Sequence, residues 1–191
     1  MSLEIYRERV DRLAQRNTGD PIFVGSLDQA AIIVEKLFAL ARSHVLIVTG
    51  KLNARVYGVD NVREQARLFL VDPTHRVRII VEEPDGQYLV DHPLLDAVPT
   101  HKGFSNLEIR ALPKKNQSMY DFHFMVVDGE SYRFERNREE PVAIAAFGDK
   151  AGAQNMEGIF ERLWSMANCI SPEQRAMAVD VAQPVAENVV F

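Results

Sequence analysis

One cysteine in 191 residues cannot close a disulfide within the chain or build a cysteine-rich zinc site. Cys169 is expected to act as a small hydrophobe near a helix end. No apolar run reaches the roughly 18 residues that a membrane span needs, so no membrane contact is expected. Glu4, Arg7, Glu8, Arg9, Asp11 and Arg12 interrupt any apolar stretch near Met1. No signal peptide is therefore expected, and the chain reads as cytoplasmic. Positive charge is also short. A formal net charge of −5 gives no support for non-specific nucleic-acid binding and leaves only a local basic patch as a route to it. His44, His75, His92, His101 and His123 are scattered, with no ligand spacing such as His-x3-His, so no metal and no cofactor are expected. Repeats and low-complexity tracts are absent. What is present is ordinary globular material, 47% hydrophobic and 26% charged, enough for one domain with a core of its own.

The pattern alternates helix and strand in its first half. Residues 2–16 read as a charged helix with Ile5, Val10 and Leu13 as its apolar positions, ended by Asn17-Thr18-Gly19-Asp20-Pro21. Ile22-Phe23-Val24 is a short strand. Ser26 caps a helix over 27–42. His44 to Thr49 is an apolar run of strand length, buried on both faces. A helix follows at about 60–71, with Val62, Ala66, Leu68 and Phe69 as core candidates, and then a strand from Arg76 to Val81. From Glu82 to Gly103 prolines and glycines indicate loop, with a short helix near Leu94–Ala97. The second half reads as consecutive strands: Leu107 to Leu112, the stretch after Tyr120, Tyr132 to Glu135, and Val142 to Phe147. A polar turn, Arg136 to Glu140, joins the last two. A helix over 150–167 carries Met156, Ile159, Phe160, Leu163 and Trp164 at helical spacing, all expected in the core. The last twenty residues read as a short helix and an arm. Early αβ alternation followed by a run of strands predicts an α/β fold: a mixed β-sheet flanked by helices on both faces.

Chemistry concentrates in Tyr120-Asp121-Phe122-His123-Phe124-Met125-Val126-Val127-Asp128-Gly129. Asp121 and His123 are two residues apart on an apolar strand and point the same way. Asp128 follows at a Asp-Gly turn. Asp121 and His123 form either an active or anion-binding site, or a buried hydrogen-bonded pair. Asp128 is either part of that site or a turn aspartate capping its own backbone. Arg133 and Glu135 share one face of the next strand, where Arg133 is a candidate cation or a cross-strand salt-bridge partner. Lys51 and Asn53 follow the central strand at its carboxyl end, the edge that ligands favour in open α/β sheets. Arg55, Lys114 and Lys115 add positive charge, and His92 beside Asp91 reads as a loop pair.

These elements in this order resemble the phospholipase D superfamily, specifically one half of its usual two-half architecture. The resemblance spans about residues 20–168 and leaves 1–19 as an N-terminal helix and 169–191 as a C-terminal arm. It rests on the ladder Ile22-Phe23-Val24, helix, His44 to Thr49, helix, Arg76 to Val81. It rests also on Phe160-Glu161-Arg162-Leu163-Trp164, which resembles the family's late helix end and follows Phe147-Gly148-Asp149. The family hallmark is His-x-Lys, four residues, then Asp. With Asp128 in the Asp position, this chain reads Asp121-x-His123-x4-Asp128. A second register, with His123 at the nucleophile position, puts Met125 in place of the lysine and Glu130 in place of the aspartate. Neither register has the lysine, and a carboxylate at Asp121 repels a phosphodiester. The family's Gly-Ser-x-Asn-like element is also missing, Glu135-Arg136-Asn137 being the nearest polar group.

The resemblance with a degenerate motif implies a non-catalytic phospholipase D-like domain for anionic-ligand binding or protein interaction and regulation. Single-half members of the family pair to complete one site. A homodimer is therefore expected, with the face bearing Asp121 and His123 near the two-fold axis. The alternative is a divergent phosphodiesterase, a nuclease or phospholipase, with His123 as nucleophile or general acid and Arg133 or Lys51 holding phosphate.

Overall fold

The doubly buried runs of the sequence end up in the middle of a sheet, and the later strands are added beside them. The computed structural model describes residues 1–84, 88, 89, 91–96, 106–137 and 142–170. Its strands are β1 (Pro21–Val24), β2 (His44–Thr49), β3 (Arg76–Val81), β4 (Leu107–Ala111), β5 (His123–Val127), β6 (Ser131–Glu135), β7 (Ala143–Phe147) and β8 (Asn168–Cys169). They pair into one sheet of order β1-β7-β6-β5-β2-β3-β4-β8. β2, β3 and β4 run parallel, because a helix or long connection separates each from the next. β5, β6, β7 and β1 continue the sheet antiparallel from the other side of β2. β5 and β6 are joined at Asp128-Gly129, where φ is 53° and 60°, the left-handed pair that the sequence Asp-Gly favours.

The helices are α1 (Leu3–Arg16), α2 (Leu27–Leu40), α3 (Ala54–Tyr57), α4 (Asp60–Leu70), α5 (Pro93–Asp96), α6 (Lys114–Gln117) and α7 (Lys150–Met166). α1 to α5 cover one face of the sheet, where Ile33, Leu37, Val45, Ile47, Val77, Ile79 and Met125 share one core. α7 covers the other, where Phe160 and Leu163 share a core with Leu46, Val126 and Phe124. This is the mixed sheet with helices on both faces that the element order predicts. Among the described residues no helix is long and apolar enough to cross a membrane.

The helix ends follow local chemistry. Ser26 accepts from Gln29 N at 3.2 Å, and Asp149 accepts from Gly152 N at 3.0 Å at the start of α7, each satisfying a first-turn donor. α1 ends on Asn17 in the left-handed region, φ 52°. Beside it Gly148 has φ +86°, and a Cβ there would sit 2.3 Å from the Asn17 carbonyl oxygen. Only glycine lets β7 leave the sheet so close to the end of α1.

Several assignments shift. In α1 the buried residues are Tyr6 and Val10, while Ile5 is exposed; Tyr6 sends its hydroxyl to Phe23 O at 3.0 Å, which lets a tyrosine take the inner position. In α4 the inner residue is Leu70 and Leu68 faces solvent. Cys169 is exposed in β8, not a buried hydrophobe, because the chain leaves α7 to pair with the edge of β4. The short helices α3 and α6 lie in stretches to which the sequence pattern assigns no element. The expected C-terminal arm is described only to Ile170. The rest of it, residues 138–140 of the polar turn, and Gly86, Ala97, Pro99, His101 and Gly103 lie outside the described residues.

Candidate functional site

His123 opens β5 at the end of the sheet where β2 and β3 finish. It sits in register with Glu135 of β6, on the face covered by α1 to α5. The carboxyl ends of β2 and β3 are tied together there: Glu82 N donates to Thr49 O and Gly50 O at 3.1 Å each, and Glu83 N to Gly50 O at 3.0 Å. Gln117 of α6 also donates to Glu82 O at 2.7 Å. These bonds fix Glu82 beside the imidazole. Gly50 packs over the same ring, its Cβ position 3.4 Å from His123 Cε1.

The result is a charge network. His123 Nε2 is 3.3 Å from Glu82 Oε2, and Nδ1 is 3.3 Å from Glu135 Oε2. Arg133, two residues before Glu135 on the same face, places Nη1 2.5 Å from Glu135 Oε1. Side-chain exposure is 9% for His123, 4% for Glu82 and 3% for Arg133. Two cations and two carboxylates thus share one largely dry centre, where each depends on the others. Burial pulls the His123 imidazolium down, but Glu135 and Glu82 together outweigh it and push its pKa up to about 9. Burial raises Glu135, yet His123 and Arg133 hold it below the ordinary range. Arg133 Nε and Nη2 are buried without a hydrogen-bond partner among the described residues. Tyr57 of α3 is buried nearby, its phenol raised chiefly by burial.

The other predicted residues are placed elsewhere. Asp121 lies ahead of β5 and is exposed, so the carboxylates at the His123 ring are Glu82 and Glu135 and not Asp121. The alternation argument fails because the strand begins at His123 and the residues before it are not in the ladder. Asp128 lies at the far end of β5, roughly 16 Å away at about 3.3 Å per residue. Its carboxylate accepts from Arg42 N at 2.7 Å, Ser43 N at 2.9 Å, Ser43 Oγ at 2.8 Å and His44 N at 2.9 Å. It caps the strand entering β2 and not its own turn. Burial raises its pKa, and these donors together bring it below the usual value. Arg133 and Glu135 do meet, along one strand and not across two. Lys51 pairs with Glu83 at 3.0 Å at the surface, and Asn53 accepts from Arg55 N at 3.0 Å to start α3.

Sequence reasoning passed over Glu82, which it left in a weak loop. The available signal was an acid immediately after an apolar parallel strand, at the same edge as Lys51. It also misread His92, which is buried. His92 Nδ1 accepts from Leu94 N at 3.2 Å, so Nε2 carries the proton given to Leu52 O at 2.6 Å. Burial lowers its pKa, and it braces Leu52, whose φ is 57°, in the loop beside Gly50. A further cluster surrounds Asp128: His44 contacts Glu157 at 2.5 Å and Ser43 Oγ at 2.9 Å, locking α7 to the start of β2. Among the described residues no group of three or more His, Cys, Asp or Glu is placed to hold a metal.

A family model described as Domain of unknown function (DUF7931) matches residues 26–177. No curated protein matches the chain. Solved structures of similar fold include the following three. One is TrmBL2, an archaeal chromatin protein with a novel mode of DNA binding: TM-score 0.57, 15% identity, 88% of this chain and 64% of that chain covered. The second is NucT from Helicobacter pylori: TM-score 0.51, 11% identity, 79% of this chain and 99% of that one. The third is Nuc from Salmonella typhimurium, a phospholipase D family member: TM-score 0.50, 12% identity, 79% and 99% covered. The chain thus spans less than two thirds of the chromatin protein, and at these identities the shared property is the fold, a phospholipase D-like one.

Proposed function

We propose, from the premise that this chain belongs to the DUF7931 family and has a phospholipase D-like fold, that it is a non-catalytic domain acting through protein interaction as a homodimer. The observation that carries this is the pairing of both buried cations, His123 and Arg133, with carboxylates. A phosphodiester site needs cations held free for phosphate oxygens. Here His123 has a carboxylate on each ring nitrogen and Arg133 spends one amino group on Glu135. A phosphate reaching Arg133 Nε and Nη2, which lack a hydrogen-bond partner among the described residues, would also face the negative charge of Glu82 and Glu135. The same argument weighs against tight binding of small anions there.

The alternative is a divergent phosphodiesterase, with His123 as nucleophile or general acid. An imidazole with its pKa near 9 is protonated at neutral pH and has no lone pair for nucleophilic attack. General-acid work remains chemically open to it, but only if Glu82 and Glu135 moved aside. Hydrolysis of bis(p-nitrophenyl) phosphate and of single-stranded DNA is the test. The expected result is no turnover above buffer. Turnover that His123→Gln abolishes in a folded protein would overturn the non-catalytic reading.

A further inference from the structure

The chain between β2 and α3 turns at Leu52, not at the glycine two residues before it. Leu52 has φ 57° and is fully buried. A leucine keeps that left-handed backbone only when its surroundings hold it. Two side chains hold it, both through its carbonyl oxygen. Tyr88 Oη donates to Leu52 O at 3.1 Å and accepts from Ala54 N at 3.0 Å. His92 Nε2 donates to the same oxygen at 2.6 Å. The start of this loop meets the charge centre, because Gly50 packs on the His123 ring.

His92 can hold Leu52 in one protonation state only. Its ring is buried, and Nδ1 accepts from Leu94 N at 3.2 Å, so that nitrogen must keep its lone pair. A second proton on Nδ1 would face the Leu94 N–H in a buried site where neither donor has an acceptor. The charges around the ring do not compensate. Asp96 of α5 acts on it, but burial outweighs that carboxylate and the Leu52 carbonyl and lowers the His92 pKa. Asp91, the residue before it, is exposed. Tyr88 meets the ring edge-on at 5.4 Å. α3 and α4 pack on α5. α3 adds Tyr57, whose raised phenol stays neutral, and the exposed Arg55. On α4, Asp60 pairs with Arg63 and Glu64 with Arg67.

We infer that His92 is an acid-operated pin: neutral, it holds residues 50–53 against His123, and once protonated it lets them go. The folded group titrates below its unfolded value, so its contribution is fully present above about pH 6.5 and declines as pH falls below that. Each unit of pH below about 6.5 weakens the pinned loop by up to about tenfold, until the pinned ring itself protonates. The loop therefore covers His123 at neutral pH and is released from it in acid. The two histidines answer to opposite ends of the pH range, His123 to alkali and His92 to acid.

Hydrogen–deuterium exchange of the full chain between about pH 7.5 and about pH 4.5, corrected for intrinsic rates, tests this. The Ala54 amide is expected to lose protection by about tenfold or more, while the Ile47 and Val48 amides of β2 keep theirs. His92→Gln retains a donor for Leu52 O and does not titrate, so its Ala54 protection should be the same at both ends of the range. Wild-type Ala54 protection that persists in acid would overturn the pin, as would an acid loss shared equally by β2. An acid loss that His92→Gln retains would overturn it too and assign the release to a carboxylate. Nuclear magnetic resonance of the wild type makes the test independent of that variant's folding. The His92 ring and the Ala54 amide are expected to titrate together, and a ring that protonates while the amide signal stays fixed would sink the coupling.

Discussion

The two ends of β5 keep a partly or wholly buried acid by opposite means. At Asp128 the carboxylate is held by dipoles, three backbone N–H groups and a serine hydroxyl. At His123 the carboxylates Glu82 and Glu135 are held by charges, an imidazolium and a guanidinium. Dipoles fixed by the backbone keep their sense at any pH. A network of full charges is complete only while every member stays ionised, so it ties stability to pH and fails as a unit. The motif read as one site in the sequence is therefore two devices, one that anchors the start of β2 through backbone donors and one that pairs buried charges where β2, β3 and β5 meet.

The comparison breaks most severely at Arg133. Arg133→Met keeps the volume but leaves Glu135 and Glu82 with only His123, and should cost about 3–5 kcal/mol in urea unfolding. A loss below about 1 kcal/mol would mean that the guanidinium is not integral to the network. Next comes the pH dependence. The folded His123 pKa is raised from 6.5 to about 9, so its stabilisation is fully present below pH 6.5 and disappears as pH rises through about 9. At about 1.4 kcal/mol per unit this amounts to on the order of 3 kcal/mol. Glu135, depressed from 4.5, adds stability that is present above pH 4.5 and lost in acid. Stability from this network should peak between these limits, and His123→Gln should flatten the alkaline decline. Histidine NMR should show His123 still protonated at pH 8, with Glu82→Gln lowering its titration midpoint.

Asp128→Ala sharpens the contrast from the other end. It strips the cap from Arg42 to His44 and places alanine at positive φ, costing about 2 kcal/mol, while the His123 titration stays where it was. A shift of that midpoint would mean that the two ends are coupled. The smallest effect belongs to Lys51. Its pair with Glu83 is exposed, so Lys51→Ala should change stability by less than about 0.5 kcal/mol and leave the His123 midpoint unmoved.

Much of this fold was legible because periodicity reports burial. The apolar runs of β2 and β3, the Ser26 cap and the stripe Phe160, Leu163 and Trp164 each carry their structure in their own spacing. Tyr6 displaced Ile5 because burial there depends on a distant acceptor, Phe23 O. The site was legible in part. His123, Arg133 and Glu135 were singled out and do come together, since they lie on paired strands. Asp121 and Asp128 were grouped with His123 by sequence distance alone, which does not measure where a strand begins or which end of it a residue occupies.

What the sequence determined by itself was the order of elements, the α/β class and the presence of an acid and a histidine without the lysine of the related motif. These follow from local pattern and residue identity. Which carboxylates meet His123 was decided only by the tertiary structure. Glu82 is 41 residues away in the chain and reaches the ring because β3 ends parallel to β2 while β5 begins antiparallel beside it. Strand pairing brings the three ends to one edge of the sheet, and no local spacing encodes that meeting.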